Sequence, residues 1–216
     1  MTAVSQQEID AQAGDLLANV PDGDGLTQIQ RVLMQFALDI SASSLDIDAA
    51  QQRHDEAVSL GVTPDQLSEV VTLLASIGVH TFFEGARMID LASPGSAERG
   101  AFDPERQEIW DRHVGDRRYW IPMKEEIPGF LEALLWTSPD SFTAFITFVG
   151  VPFKSRHVDT LSKELISMAA DASVSHRYLP GMRMHLRTSV LMGANRTMIL
   201  EALAIGAASS SHIGVH

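Results

Sequence analysis

Displaced by 132 residues, the sequence falls on itself without a gap over Gln30–Ser43 (QRVLMQFALDISAS) and Ser162–Ser175 (SKELISMAADASVS). Leu33, Ala37, Asp39, Ser41 and Ser43 match Leu165, Ala169, Asp171, Ser173 and Ser175. The same displacement pairs Val58 with Val190, Gly61 with Gly193, Glu69 with Glu201, Ala75 with Ala207 and His80 with His212. Helix stops at Gly61 and Gly193 coincide, as do the caps at Thr63 and Asn195, so the identities follow secondary structure. A rival local match sets Ile77–His80 on Ile213–His216, which leaves the counterpart of His80 open between His212 and His216. A tandem repeat of this kind makes each half the equivalent of one subunit of a helical dimer, with a connector joining the two.

Apolar spacing says what is repeated. Ile29, Val32, Leu33, Phe36, Ala37 and Ile40 form one stripe of an amphipathic helix over Leu26–Ser43. A helix over Asp46–Leu60 ends at Gly61, and Thr63-Pro64-Asp65-Gln66 starts the next with a cap and a proline in the first turn. Further helices are expected over 1–20, His80–Leu91, Ile127–Thr137, Pro139–Val149, Val158–Ser175, Pro180–Met192 and from Arg196 to about Ser211. Strand alternation is nowhere sustained, so the expected fold class is all-α, two tandem helical repeats. The expected division is a first repeat over 1–92, a connector over 93–122 that opens with Ser93-Pro94-Gly95-Ser96, and a second repeat over 123–216. The connector carries Trp110, Tyr119 and Trp120, expected to pin it to the body, and one short helix at Pro104–Val114.

Composition narrows the function. The net charge is −12 and the pI about 5.0, which argues against nucleic acid or an anionic membrane as partner, because both need a basic face. The chain has no cysteine, which removes disulfides, thiolate metal sites and thiol redox chemistry. No basic-then-apolar leader opens the sequence and no apolar run reaches about 18 residues, so a cytoplasmic protein without a membrane span is expected.

The candidate site lies in the second repeat, in His176–Gly193 (HRYLPGMRMHLRTSVLMG). Pro180 suits a first helical turn and Gly193 the position just past a helix end. His185 is the titratable imidazole within that helix, Tyr178 stands seven residues before it and Ser189 four after, and Arg183 and Arg187 point elsewhere on the same helix. The first repeat has Arg53 where the second has His185, Asp46 for Tyr178 and Val32 for Glu164, so the titratable cluster belongs to the second repeat alone. A histidine on a largely apolar helix is either a proton-transfer group or a hydrogen-bonded core residue, and the spacing leaves both open. A different class of function, a His-based metal site, rests on His176, His185, His212 and His216, the last two at i, i+4.

Several of these runs together resemble a known family. Lys163-Glu164-Leu165-Ile166, a run of small residues, an aromatic, His185-Leu186-Arg187 and Gly193-Ala194-Asn195 are similar to the carboxymuconolactone decarboxylase and alkylhydroperoxidase D-like superfamily, and Gly61–Leu67 repeats the later part. The resemblance covers most of residues 26–91 and 125–216 and leaves the connector outside. It implies an all-α fold, homo-oligomeric rings, here a trimer in which each tandem chain stands for two subunits, and a site built on His185 and Glu164. The peroxidase branch places cysteines seven and four residues before the histidine; Tyr178 and Gly181 stand there, so thiol peroxidase activity is not expected. The decarboxylase branch has its glutamate nineteen residues before the histidine, whereas Glu164 precedes His185 by twenty-one.

The function expected is that of a cofactor-free lyase acting on a small organic acid or lactone. His185 moves a proton near neutrality, Glu164 orients the ring, and Tyr178 donates to a developing enolate oxygen. Arg183, Arg187 and His176 hold the substrate carboxylate, and no metal or cofactor takes part. The alternative is a non-catalytic small-molecule-binding or scaffold protein of the same fold.

Overall fold

Capping side chains set where the repeated helices begin. Thr27 caps α2 (Gln28–Ile40), Asp46 caps α3 (Ile47–Ser59) and Thr63 caps α4 (Pro64–Ala75), each accepting a hydrogen bond from a backbone N–H of the first turn. In the second copy Asp159 caps α10 (Thr160–Asp171) and Asn195 caps α12 (Arg196–Ala207) in the same way. Tyr178 precedes α11 (Leu179–Leu191) without a side-chain cap. The starts at 28, 47 and 64 fall on those at 160, 179 and 196 at the displacement of 132 read from the sequence. This computed structural model describes residues 3–93, 95 and 100–215; Pro94, Ser96 and His216 lie outside the described residues. Among the described residues there is no strand.

The turns repeat as faithfully as the helices. Gly61 (φ 85°) and Gly193 (φ 98°) take the left-handed conformation just past α3 and α11. The N–H of each donates to Val58 or Val190, and the next N–H to Ala57 or Ser189, which satisfies the last carbonyls of both helices. The preceding turn holds a non-glycine residue in the same region, Leu45 (φ 49°) and Arg177 (φ 50°). Such a conformation costs on the order of 1 kcal/mol, and its presence in both copies marks the turn as part of the repeated design.

The chain divides into two compact units, one formed by residues 1–77 and 152–216 and the other by 78–151. The division expected from the sequence, at 92/93 and 122/123, follows the repeats, and the compact units cut across it. The physical reason is reciprocal packing: α4 packs on α10 as well as α2, and α12 on α2 as well as α10, so the repeated helices share one core with α2 against α10. Leu33 and Leu165 occupy equivalent positions in that core and are both fully buried. The packing follows a pseudo-two-fold. Gln30 donates to its own counterpart Ser162 (3.1 Å). Arg31 pairs with Glu201 (2.8 Å), while their counterparts Lys163 and Glu69 pair with each other. The amphipathic helix α1 (Gln6–Leu16) closes the unit with Ile9 and Ala13 buried and Leu17 just beyond its end.

The second unit contains α5 (His80–Ala92), α6 (Pro104–His113), α7 (Ile121–Glu126), α8 (Phe130–Thr137) and most of α9 (Pro139–Lys154). Its core is aromatic: Phe83, Phe130 and Phe145 meet edge to face with centroids 4.5 to 5.8 Å apart. Trp110 stacks near Phe142, and buried Trp120 donates its indole N–H to the His113 carbonyl (3.1 Å). The region expected as a connector contributes α6, the turn Arg118–Trp120 and the start of α7, and its Trp110 and Trp120 lie against Phe142 and Phe145 while Tyr119 stays exposed. The stretch Pro64–Ala92 is long and apolar enough to cross a membrane by length and composition alone. A single stretch of this kind is weak evidence, because core helices pass the same test.

Candidate functional site

Glu164 and Asp171 lie seven residues apart on α10 and therefore face the same side. Both are buried, with side chains 7% and 3% exposed. The α10–α11 turn brings His185 against them. Its Nδ1 lies 2.7 Å from Glu164 Oε2, and its Nε2 lies 3.9 Å from Asp171 Oδ2. Burial on its own would push the imidazole toward its neutral form; the charge and hydrogen bond of Glu164, with the charge of Asp171, outweigh it and raise the pKa above its ordinary value. The imidazole thus lies between two acidic side chains, one in direct contact and one beyond direct hydrogen-bond range.

The two extra residues between Glu164 and His185 do not separate them. The first copy has the same 21-residue interval between Val32 and Arg53, so the longer turn belongs to both copies. Left-handed Arg177 folds the chain back, and the Tyr178 N–H donates to the Asp171 carbonyl (2.7 Å), as Asp46 N–H does to the Asp39 carbonyl (2.9 Å). This bond anchors α11 to the end of α10. Gly181 then allows the carboxylate to enter: a Cβ built there would stand 2.1 Å from Asp171 Oδ2. The position that the peroxidase branch gives to a cysteine is filled here by the Asp171 carboxylate.

The remaining candidates scatter. Tyr178 is half-buried, 6.1 Å from the His176 ring and beside Gly181. His176 Nε2 lies 3.5 Å from Asp171 Oδ1, so Asp171 stands between two imidazoles. Arg183 donates to Gln12 of α1 (2.7 Å), and Arg187 is exposed. At about 100° per residue both arginines lie roughly 200° around α11 from His185. Ser189 is fully buried. The last helix ends at Ala207 and His212 is exposed in coil; its expected i, i+4 partner His216 lies outside the described residues.

Sequence reasoning passed over two groups. Asp171 was visible as an identity shared with Asp39 but was not read as part of the site. Lys163 and Glu69 form a fully buried ion pair, 2% and 3% exposed. Lys163 also donates to the carbonyls of Pro152 (2.8 Å) and Ser155 (2.9 Å). Glu69 accepts from the Ser155 hydroxyl (2.7 Å) and the His157 and Val158 N–H groups (2.9 and 3.2 Å). Burial raises the Glu69 pKa, but bonds from Lys163, Ser155 and Val158 overcome it and hold the carboxyl below its ordinary value. The available signal was a charged residue inside a helical stripe otherwise destined for the core.

The first copy replaces the acid–base pair with a permanent cation. Arg53 stands at the His185 position, its Nε 3.9 Å from Asp39 Oδ2 and its NH1 3.1 Å from Glu56. Val32, buried, stands where the second copy has Glu164.

No protein-family model matches the sequence, and no curated protein matches it. A crystal structure from Burkholderia xenovorans LB400 at 1.70 Å, described as "a putative gamma-carboxymuconolactone decarboxylase subunit", does match, with a TM-score of 0.71 and 27% identity over 94% of this chain and 84% of that one. The fold, the repeated helix–turn–helix register and the lack of cysteine agree with the resemblance found in the sequence. The chain is thus similar in fold and in sequence motifs to the carboxymuconolactone decarboxylase and alkylhydroperoxidase D-like superfamily, and it is free of cysteine and built from two tandem repeats.

Proposed function

We propose that the chain is a cytoplasmic, cofactor-free lyase that acts on a small organic acid or lactone by proton transfer at His185, with gamma-carboxymuconolactone as the first candidate substrate. The observation that supports this most is the 2.7 Å contact between Glu164 and His185, with Asp171 beside the other ring nitrogen. In a decarboxylation the bond to the leaving carboxylate breaks, its electron pair enters a conjugated carbonyl system, and carbon dioxide departs. The carbon framework must then gain a proton. An imidazolium supplies it from Nε2, while Glu164 continues to accept the Nδ1 proton and keeps the neutral ring in one tautomer. Tyr178, at the start of α11, is assigned the role of donor to the enolate oxygen. His176, Arg183 and Arg187 are assigned to the substrate carboxylate.

In the same proposal the protein is a homo-oligomer, a trimer of tandem chains. Exposed apolar side chains support a covered surface, among them Leu191 at 83% and Leu91 at 79%. Light scattering that gives a monomer of 23.6 kDa at micromolar concentration contradicts this part.

The catalytic test is the decay of gamma-carboxymuconolactone and release of carbon dioxide by wild type and His185→Ala. A loss of about 10²–10⁴-fold in rate is expected with the fold retained. Equal turnover by the two proteins refutes the role of His185. Binding without turnover by wild type favours the non-catalytic reading instead.

A further inference from the structure

The pseudo-two-fold has a second site position, in the first copy, and it is not filled in. A cavity of about 310 Å³ lies there, lined by Arg31, Gln35, Leu38, Asp39, Arg53, Ile205 and their neighbours. At the displacement of 132, Asp39 and Arg53 stand for Asp171 and His185, so this is the counterpart of the candidate active site. We infer that this cavity is a binding site for a small aliphatic α-amino acid, held through its carboxylate by Arg53 and through its ammonium by Asp39.

Three observations lead there. The first is incomplete pairing. Among the described residues Arg53 uses NH1 on Glu56 and sets Nε 3.9 Å from Asp39, while its NH2 makes no hydrogen bond. The Asp39 carboxylate, 13% exposed, likewise accepts no hydrogen bond among the described residues. A guanidinium edge and a carboxylate therefore face one cavity, each with capacity left over. Burial raises the Asp39 pKa despite Arg53, as fits a carboxylate short of partners.

The second observation is charge balance. The pair Arg31–Glu201 (2.8 Å) is internally neutral, and Arg53 already faces both Asp39 and Glu56. A simple anion would add negative charge beside Asp39, Glu56 and Glu201, with the charge of Asp46 also acting on Asp39. A zwitterion adds none, and its two charged groups, one carbon apart, match a guanidinium and a carboxylate that lie 3.9 Å apart. The third is the apolar part of the lining, Leu38, Ala204, Ile205 and Ala208, which suits an aliphatic side chain. Arg53 has no proton to exchange near neutrality, so the site binds without reacting.

The test is a heteronuclear NMR titration of the full chain with L-leucine up to about 10 mM, the weak end of specific binding. Isovalerate carries the carboxylate alone and isoamylamine the ammonium alone. Saturable shifts are expected at the Arg53 side chain and around Asp39 and Ile205 with L-leucine, and at least about tenfold weaker effects with either control. Arg53→Met should abolish the shifts, Asp39→Asn should weaken them about tenfold, and Arg53→Lys should retain the fold and lose most of the affinity. His185-dependent turnover should be unchanged by Arg53→Met, so failure here and failure of the lyase proposal are distinguishable. No saturable shift, equal affinity for isovalerate, or full binding by Arg53→Met overturns the inference.

Discussion

The two copies place the same backbone under different chemistry. Arg31–Glu201 and Lys163–Glu69 are one ion pair seen from the two sides of the pseudo-two-fold, yet the first is 42% and 30% exposed and the second 2% and 3%. Asp39–Arg53 and Asp171–His185 are likewise one contact, 3.9 Å long in both, with a permanent cation in one copy and a titratable one in the other. Duplication within a single chain lets one site keep a scaffold role while the other changes residues. Asp39 and Asp171 are shared by the two copies, and Glu164 occurs only beside the imidazole.

The largest break in the comparison should come from the ion pairs. Lys163→Ala or Glu69→Ala leaves a buried charge without its partner and should cost about 3–5 kcal/mol, measured by urea unfolding. Arg31→Ala, at the equivalent but exposed position, should cost about 0–1 kcal/mol. Equal losses at the two positions would remove the distinction. Glu69 has a lowered pKa in the folded state, so its contribution is complete above its ordinary carboxylate pKa and is lost as pH falls through the lowered value.

A smaller effect is expected at Gly181. Alanine in place of a glycine within a helix normally stabilises by about 0.5–1 kcal/mol. Here the new methyl meets the Asp171 carboxylate, so Gly181→Ala should instead destabilise by about 1–3 kcal/mol and displace that carboxylate from His185. The first copy carries Ala49 at this position, so the collision is specific to the second. Thermal melts of the variant give the sign directly.

The smallest effect on stability belongs to His185. Its pKa is raised in the folded state, so its contribution is complete below about 6.5 and is lost as pH rises through the raised value. Unfolding free energies of wild type and His185→Gln should therefore differ most in mild acid and converge on the alkaline side. A difference that grows with rising pH contradicts the sign.

Much of this was legible in the sequence. Helix starts, the glycine stops and the 132-residue displacement follow from caps and apolar spacing, which are local and survive the loss of side-chain identity between copies. The division into units was not legible, because α4 packing on α10 and α12 on α2 is a long-range contact that no periodicity records. Glu164 and His185 could be nominated, but whether the longer turn lets them meet depends on Arg177 adopting φ 50°, which a non-glycine residue gives no reason to expect. Asp171 was hidden for a different reason: its room comes from what Gly181 lacks, and a missing methyl reads in sequence only as a missing cysteine.

The most direct test of the central claim needs no substrate. Following the His185 imidazole resonances with pH in wild type and in Glu164→Gln measures whether a carboxylate pair holds the ring as a cation. The expected result is a pKa above about 6.5 in wild type that falls when Glu164 becomes an amide. A wild-type value below about 6.5, or one that Glu164→Gln leaves unchanged, would contradict the acid–base site in the second copy.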